Sequence, residues 1–128
     1  MMDFLPLFFD LKQSLALVFG DTDAAARKVE VLLNSGCQVV LITPTLVNNG
    51  FQTILDNNRF SHRENDDEAL WGNVHLVVAA TGSEKDQIIS EKAKSKNLPI
   101  NVVNRADLSS FVFPSIIDRS PIIAAVSS

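Results

Sequence analysis

The chain has 128 residues, of which 46% are hydrophobic and 20% charged, and this composition is typical of one compact domain with a substantial core. Eleven Lys and Arg residues against fifteen Asp and Glu residues give a formal net charge of -4. This charge argues against sequence-independent nucleic-acid binding, because neutralising phosphates requires clustered cations. The single cysteine, Cys37, excludes an intramolecular disulfide and a Cys-rich metal site.

The N-terminal segment contains an apolar run from Phe4 to Phe9, flanked by Asp3 and Asp10. No Lys or Arg precedes this run and no small-residue cleavage site follows it, so it does not fit a signal peptide. We therefore predict a packed N-terminal arm. No stretch of the chain approaches the roughly 18 to 20 uninterrupted apolar residues that span a bilayer. We expect a soluble, cytoplasmic protein with no membrane partner.

The first half of the chain predicts a βαβ unit. Leu15–Phe19 and Gln38–Ile42 are short continuous apolar runs, as expected of strands that are buried on both faces of a parallel sheet. Between them, Asp23 is predicted to cap a helix and Gly36 to end it.

The second half of the chain repeats the alternation of strand and helix patterns. Helices are predicted within Val47–Asn57 and over Glu84–Lys96, the latter with Ile88, Ile89 and Ala93 facing inward. Strands are predicted, in chain order, near Phe60, over Leu76–Ala80, over Ile100–Val103 and on both sides of the polar turn Asp118–Pro121. The alternation predicts an α/β fold with a doubly wound parallel sheet.

Gly20 lies between the first predicted strand and its helix, where Rossmann-like domains bind a pyrophosphate. Against the G-x-G-x-x-G/A pattern, Gly20 and Ala25 match, and Thr22 stands where the middle glycine is expected. The acidic residue that would hold a ribose hydroxyl after the second strand is absent, with Pro44 and Thr45 at that position. The pattern alone leaves two alternatives open, a pyrophosphate site and a turn that binds no nucleotide.

Several short segments together resemble one family of enzymes. They are, in chain order, Leu5–Phe8, Ala26–Val29, Ala79–Thr81, Asn101–Val103, Phe113–Pro121 and Ala125–Ser128. In this order they resemble siroheme synthases over essentially the whole chain, and more narrowly the precorrin-2 dehydrogenase and sirohydrochlorin ferrochelatase module of those enzymes. The string Pro-Ser-Ile-Ile-Asp-Arg-Ser-Pro within Phe113–Pro121 is the most specific of these segments.

The resemblance implies an NAD-binding Rossmann domain over residues 1–110. Its expected reaction is the oxidation of precorrin-2 to sirohydrochlorin, and its second expected activity is the insertion of ferrous iron, a substrate, to give siroheme. The resemblance also implies a homodimer. Residues 111–128 are therefore expected to be the start of a dimerisation region that is truncated at Ser128.

The resemblance also assigns roles to individual residues. The dinucleotide is expected at Gly20, Thr22, Asp23 and Ala24, with its adenosine half beside Pro44 and Thr45 and with Thr81 facing it from the fourth strand. Arg119 is a candidate partner for the carboxylates of the tetrapyrrole, with a turn-stabilising pair between Asp118 and Arg119 as the alternative. Ser128 aligns with a serine that is phosphorylated in some relatives.

Asn104 is the most consequential departure from the family's pattern, which has an aspartate there as the acid/base for dehydrogenation. An amide does not accept a proton usefully near neutral pH. Asp21 and Thr22 also replace two glycines of the family's turn. Two hypotheses follow, an NAD-dependent dehydrogenase with ferrochelatase activity and a catalytically impaired or truncated, non-enzymatic Rossmann homologue. No resident metal is expected, because His62 and His75 lack a third ligand spaced around them.

Overall fold

The computed structural model describes residues 4–119 and 122–126. It contains a parallel sheet of five strands in the order β3-β2-β1-β4-β5. The strands are β1 Leu15–Phe19, β2 Gln38–Ile42, β3 Phe60–Arg63, β4 Leu76–Ala79 and β5 Ile100–Val102. This order confirms the predicted Rossmann-like, doubly wound α/β fold.

Helices cover both faces of the sheet. α1 spans Asp23–Asn34, α2 is a single turn over Glu68–Trp71, and α3 spans Lys85–Ser95. The α1 face of the core contains Val18, Val29, Leu33, Leu41 and Val78, and the α3 face contains Leu17, Phe19, Trp71, Val77 and Ala93. β1 is the central strand of the sheet, and every side chain after Leu15 is therefore buried, as its uninterrupted apolar run predicts.

The cap of α1 differs from the prediction. The side chain of Thr22, not that of Asp23, accepts a hydrogen bond from the Ala25 amide at 3.1 Å. Thr22 has an extended backbone and so directs its hydroxyl back over the first turn. The predicted end is confirmed, since Gly36 follows the helix with φ +84°.

The helix predicted within Val47–Asn57 is wrong. The segment contains one 3₁₀ turn, Asn49–Phe51, followed by turns. Asn48 causes the difference, because its side-chain oxygen accepts from the Gly50 amide at 2.8 Å and this local bond competes with helix formation. Phe51 still packs into the core.

The inward face of α3 differs in part from the prediction. Ala93 is buried and Ile89 packs against the core, as predicted, whereas Ile88 is 67% exposed and the polar residues Asp86 and Ser90 are buried. Ser90 donates to the Leu108 carbonyl at 2.5 Å, so this helix docks through polar contacts as well as apolar ones. A helix with a polar buried stripe does not show the apolar periodicity on which the prediction depended.

The N-terminal arm is not packed, contrary to the prediction. Leu5, Phe8 and Phe9 are 72%, 72% and 65% exposed. Large apolar side chains are not all buried in folded proteins, so an apolar run does not by itself indicate packing.

The strands predicted near the C-terminus are present. β6 Ser115–Arg119 and β7 Ile122–Val126 pair antiparallel, with Ile117 opposite Ala124. They form a separate two-stranded sheet, and the dimerisation role expected for residues 111–128 stays a prediction. Among the described residues, no helix is long and apolar enough to cross a membrane.

Candidate functional site

The candidate site lies at the carboxyl ends of β1 and β4, where the strand order changes direction. The chain leaves β1 toward α1 on one face of the sheet and leaves β4 toward α3 on the other. In doubly wound sheets, this switch point opens a crevice in which ligands bind. Gly20, Thr22 and Thr81 lie in the two loops that border it, and Asp23 and Ala24 are the first two residues of α1.

Gly20 brings the β1–α1 turn against the end of β4. Its φ is +124°, and a Cβ at this position would lie 2.4 Å from the Ala80 carbonyl oxygen. Its amide donates to the Ile42 carbonyl at 3.1 Å, which ties the turn to β2 as well. Only glycine fits both the backbone conformation and the close approach.

Thr22 locks the same turn. Its hydroxyl donates to the Ala80 carbonyl at 2.8 Å and accepts from the Ala25 amide at 3.1 Å. One side chain therefore caps α1 and fixes the start of this helix to the end of β4. The residue that replaces the expected middle glycine has a structural role of its own.

The first turn of α1 presents unpaired backbone donors. In the part of the chain that the structure describes, the amides of Asp21, Thr22, Asp23 and Ala24 donate to no protein acceptor. The positive end of the dipole of this 12-residue helix lies at the same place. Amides and dipole together suit an anionic group such as a diphosphate.

Two carboxylates border these amides, and both are engaged by the loop after β2. Asp21 accepts from the amides of Val47 and Asn48, each at 3.0 Å. Asp23 accepts from the side-chain nitrogen of Asn48 at 3.0 Å. These hydrogen bonds direct both carboxylates toward residues 47–48 and partly offset their charge. A diphosphate therefore fits the turn, although less favourably than at a turn made of glycines.

Pro44 and Thr45 lie exposed after β2, beside the β1–α1 turn. Buried Thr43 orders them, since its hydroxyl donates to the Thr45 carbonyl at 2.9 Å. His62, on the neighbouring strand β3, has Nε2 at 2.8 Å from the Thr43 carbonyl. Its ring is therefore part of the structural support of this loop.

Asp86 organises the loop after β4, and sequence reasoning missed it. This buried carboxylate accepts from the Thr81 hydroxyl at 2.6 Å, from the Thr81 amide at 3.1 Å and from the Gly82 amide at 3.0 Å. The signal that was available is an acidic residue in the first turn of α3, just after a Thr-Gly-Ser loop. Thr81 is thereby fixed in place rather than free to turn toward a ligand.

Asn104 lies two residues after the end of β5 and separates two clefts. Its φ is +63°, a conformation that Asn tolerates better than most residues. One cleft, of about 320 Å³, lies on the α1 side and is also lined by Lys28, Asn101 and Phe113. The other, of about 510 Å³, lies on the α3 side, next to Gly82. Residue 104 can therefore contact a ligand in either cleft.

Arg105 follows Asn104 and is paired within its own turn. Its Nε and Nη2 donate to the carboxylate of Asp107 at 2.9 and 2.8 Å. This bidentate contact holds the pKa of Asp107 below its usual range. The Asp107 carboxylate is thus a poor replacement for a proton acceptor at position 104.

Lys28 is a second functional candidate that sequence reasoning missed. Its Nζ lies 4.6 Å from the centre of the Phe113 ring, in a cation–π contact. Burial, and then the charge of Arg27, lower the pKa of Lys28. The signal in the sequence is the Arg27–Lys28 pair, of which only the second member points into a cleft.

Of three other residues named from the sequence, the structure describes only the side chain of His75. His75 lies before β4, where its Nδ1 accepts from the Leu15 amide at 3.1 Å. Arg119 ends β6, with its side chain outside the described part of the structure, and Ser128 lies outside the described residues. Among the described residues, no three His, Cys, Asp or Glu side chains come together as a metal site.

Comparison with solved structures supports the fold. A chain named SirC, precorrin-2 dehydrogenase superposes with a TM-score of 0.73, covering 98% of this chain and 62% of its own length, at 21% sequence identity. At this identity, the similarity establishes the architecture.

Curated relatives confirm the resemblance inferred from the sequence motifs. The siroheme synthase of Thiobacillus denitrificans is 39% identical over 129 residues, and that of Photobacterium profundum is 40% identical over 129 residues. Each alignment covers 99% of this chain and 27% of the relative. The chain thus spans about a quarter of the length of these siroheme synthases.

A protein-family model gives the most direct assignment. It is described as putative NAD(P)-binding, and it matches residues 7–115, a range that contains all five strands of the parallel sheet and the loops after β1 and β4. With its glycine turn packed against β4 and its unpaired amides at the start of α1, the chain belongs to this NAD(P)-binding family.

Proposed function

We propose that this chain is the NAD-binding part of an enzyme of siroheme biosynthesis that oxidises precorrin-2 to sirohydrochlorin. The observation on which this proposal rests is the β1–α1 turn, in which Gly20 and Thr22 hold four unpaired amides at the switch point of the sheet. The similarity to siroheme synthases over 99% of the chain supports the choice of reaction.

The described residues divide the dinucleotide among three loops. The amides of residues 21–24 bind the diphosphate, Pro44 and Thr45 border the adenosine half, and the Thr81 loop borders the nicotinamide half. Bound NAD supplies the hydride acceptor. Asp86 accepts two hydrogen bonds from Thr81 and one from the Gly82 amide, so this loop is ordered before the cofactor arrives. The chain contributes to the reaction chiefly by holding cofactor and substrate in place.

Each hydride that leaves precorrin-2 is accompanied by a proton, and Asn104 occupies the position of the expected proton acceptor. Its amide is exposed between the two clefts and has no useful basicity near neutral pH. A positioned general base is typically worth about 10² to 10⁴ in rate. We therefore expect substrate and cofactor binding together with slow turnover.

A second candidate function is binding without turnover, as in a catalytically impaired homologue. Asn104 favours it, because its amide does not accept a proton usefully near neutral pH. Both candidates predict NAD binding, and they differ in whether precorrin-2 is oxidised.

The test follows sirohydrochlorin formation by absorbance under anaerobic conditions, with the protein at saturating NAD⁺. Asn104→Asp is expected to raise the rate about 10² to 10⁴-fold. Asn97→Asp is the matched control, because Asn97 also has a left-handed backbone, with φ +58°, and lies after α3 away from both clefts. It is expected to leave the rate unchanged.

Three results would contradict parts of this proposal. If neither the parent chain nor Asn104→Asp oxidises precorrin-2, the dehydrogenase proposal is wrong and binding without turnover is supported. Equal rates for the parent and Asn104→Asp would refute the role of residue 104. A rise with Asn97→Asp would show that added negative charge acts without regard to position.

The remaining parts of the proposal concern the second reaction and the partners. Ferrous iron is a substrate that is inserted into sirohydrochlorin, and loss of sirohydrochlorin fluorescence on addition of iron tests this step. Arg119 is proposed to contact substrate carboxylates, and Ser128 to be a phosphorylation site. The protein is proposed to act as a homodimer in the cytoplasm, a reducing compartment that suits the single free thiol of Cys37.

A further inference from the structure

We propose that the cleft on the α1 side of Asn104 is a carboxylate site, in which the ammonium of Lys28 binds one acidic side arm of the tetrapyrrole. This inference rests on the proposed function, since it names where the substrate of that reaction is held. The site is separate from the diphosphate position at the start of α1.

The first argument is the electrostatic state of Lys28. The side chain is half-buried against the Phe113 ring, and no described carboxylate lies within 4.0 Å of its ammonium. Withdrawing a cation from water without a counter-charge is unfavourable, and a cation–π contact offsets only part of that loss. An anionic group that enters the cleft would supply the missing counter-charge.

The second argument is a neighbouring polar atom that has no partner. Asn101 is 6% exposed, and its Nδ2 donates to the Phe111 carbonyl at 3.1 Å. Its Oδ1 is buried and makes no hydrogen bond among the described residues. Because buried acceptors are almost always paired, this atom indicates a donor that is not among the described residues. A tetrapyrrole has both kinds of group, carboxylates on its rim and N–H donors in its ring.

The third argument separates a carboxylate from a nucleotide phosphate. Lys28 is in the second turn of α1 and lines the cleft next to β5, with Asn101 and Phe113. The unpaired amides of residues 21–24 lie at the end of α1 that faces β4. A phosphate is therefore better matched by the backbone amides at the start of α1 than by the cleft beside Lys28.

The experiment titrates uroporphyrin, a planar tetrapyrrole with eight carboxylates, into the purified chain and follows its fluorescence. Because Lys28→Gln removes a charge-assisted hydrogen bond to the ligand, it should weaken uroporphyrin binding about 10- to 100-fold. Lys28→Arg keeps the charge and should retain most of the affinity. Lys94→Gln is the matched control, because it removes the same charge from an exposed position on α3.

A parallel titration with NAD⁺ distinguishes the two anion sources. NAD⁺ affinity should be nearly unchanged by Lys28→Gln. If Lys28→Gln weakens NAD⁺ binding and leaves uroporphyrin binding intact, the cleft binds a phosphate and the proposal is overturned. It is also overturned if the parent chain does not bind uroporphyrin, if Lys28→Gln binds it as the parent does, or if Lys94→Gln loses as much affinity.

The outcomes for this site and for the proposed reaction are independent. Lys28-dependent uroporphyrin binding without any oxidation of precorrin-2 would support the carboxylate site and refute the dehydrogenase function. Oxidation of precorrin-2 that is unaffected by Lys28→Gln at limiting substrate would refute the carboxylate site alone. Thermal unfolding of each variant checks that the fold is retained, and recovery of affinity by Lys28→Arg excludes a loss of packing as the cause.

Discussion

Replacing Gly20 with alanine should destabilise the chain sharply, because the turn leaves no room for a Cβ. The added atom would lie 2.4 Å from the Ala80 carbonyl oxygen, 2.7 Å from its carbon and 2.9 Å from the Thr81 amide nitrogen. A positive φ costs a non-glycine residue roughly 1–2 kcal/mol. Moving the turn away from β4 also breaks the bond from Thr22 to Ala80, worth about 1 kcal/mol. With the contact itself, we expect a loss of about 3 kcal/mol or more in the free energy of unfolding.

Gly82→Ala separates the contact from the backbone strain. Gly82 also has a positive φ, +72°, but a Cβ there would meet no atom within 4 Å. This variant should lose only about 1 kcal/mol, from the conformation alone. Urea unfolding followed by circular dichroism gives both free energies, and Gly20→Ala should in addition lose NAD⁺ affinity. Equal losses in stability for the two variants would refute the close approach of β1 and β4 as the reason for glycine at position 20.

Three other predictions concern Thr22 and Cys37. Thr22→Ala should cost about 1–2 kcal/mol, because it removes both the cap of α1 and the bond to Ala80, whereas Thr22→Ser keeps both hydrogen bonds. Equal losses for the two variants in urea unfolding would contradict this. Burial raises the pKa of Cys37 to about 11, so the native thiol should react with a disulfide reagent at pH 8 far more slowly than the unfolded thiol. Because this pKa is raised on folding, its contribution to stability is complete below about pH 8.5 and is lost as the pH rises toward 11. Cys37→Ala should remove this part of the pH dependence, and an unchanged dependence would show that other groups cause it.

The sheet is the part of the fold that the sequence predicts best. The bounds of β1 and β2 are confirmed residue for residue, because each is a continuous apolar run between polar residues or glycine and buries almost every side chain. The helix predicted within Val47–Asn57 is wrong for two reasons, the local bond from the Gly50 amide to Asn48 and a distant contact that no local pattern contains. The carboxylate of Asp21, 26 residues earlier, binds the Val47 amide and helps to fix a non-helical start.

Polar residues of the site show the same limit. Asp86 and Lys28 lie on helices where charged residues are common, and an isolated charge on a helix gives no periodic signal. Their importance comes from tertiary contacts: three hydrogen bonds to the Thr81 loop for Asp86, and the Phe113 ring for Lys28. The position of Asn104 after β5, by contrast, follows from its place in a motif and was identified without the structure.

The departures from the family's pattern are of two physical kinds, those that form hydrogen bonds within the fold and one that is exposed. This difference bears on whether cofactor binding or proton transfer is affected. Thr22 and Asp21 replace glycines, yet each makes two hydrogen bonds that hold the turn to β4 and to the loop after β2. Asn104 is exposed, and its side chain makes no hydrogen bond to the described residues. A substitution integrated into the turn preserves the geometry on which cofactor binding depends, whereas one at an open position changes only the chemistry offered to a ligand. We therefore expect Asn104→Asp to raise the rate of precorrin-2 oxidation and to leave NAD⁺ affinity unchanged, and a change in NAD⁺ affinity in this variant would contradict the separation of the two roles.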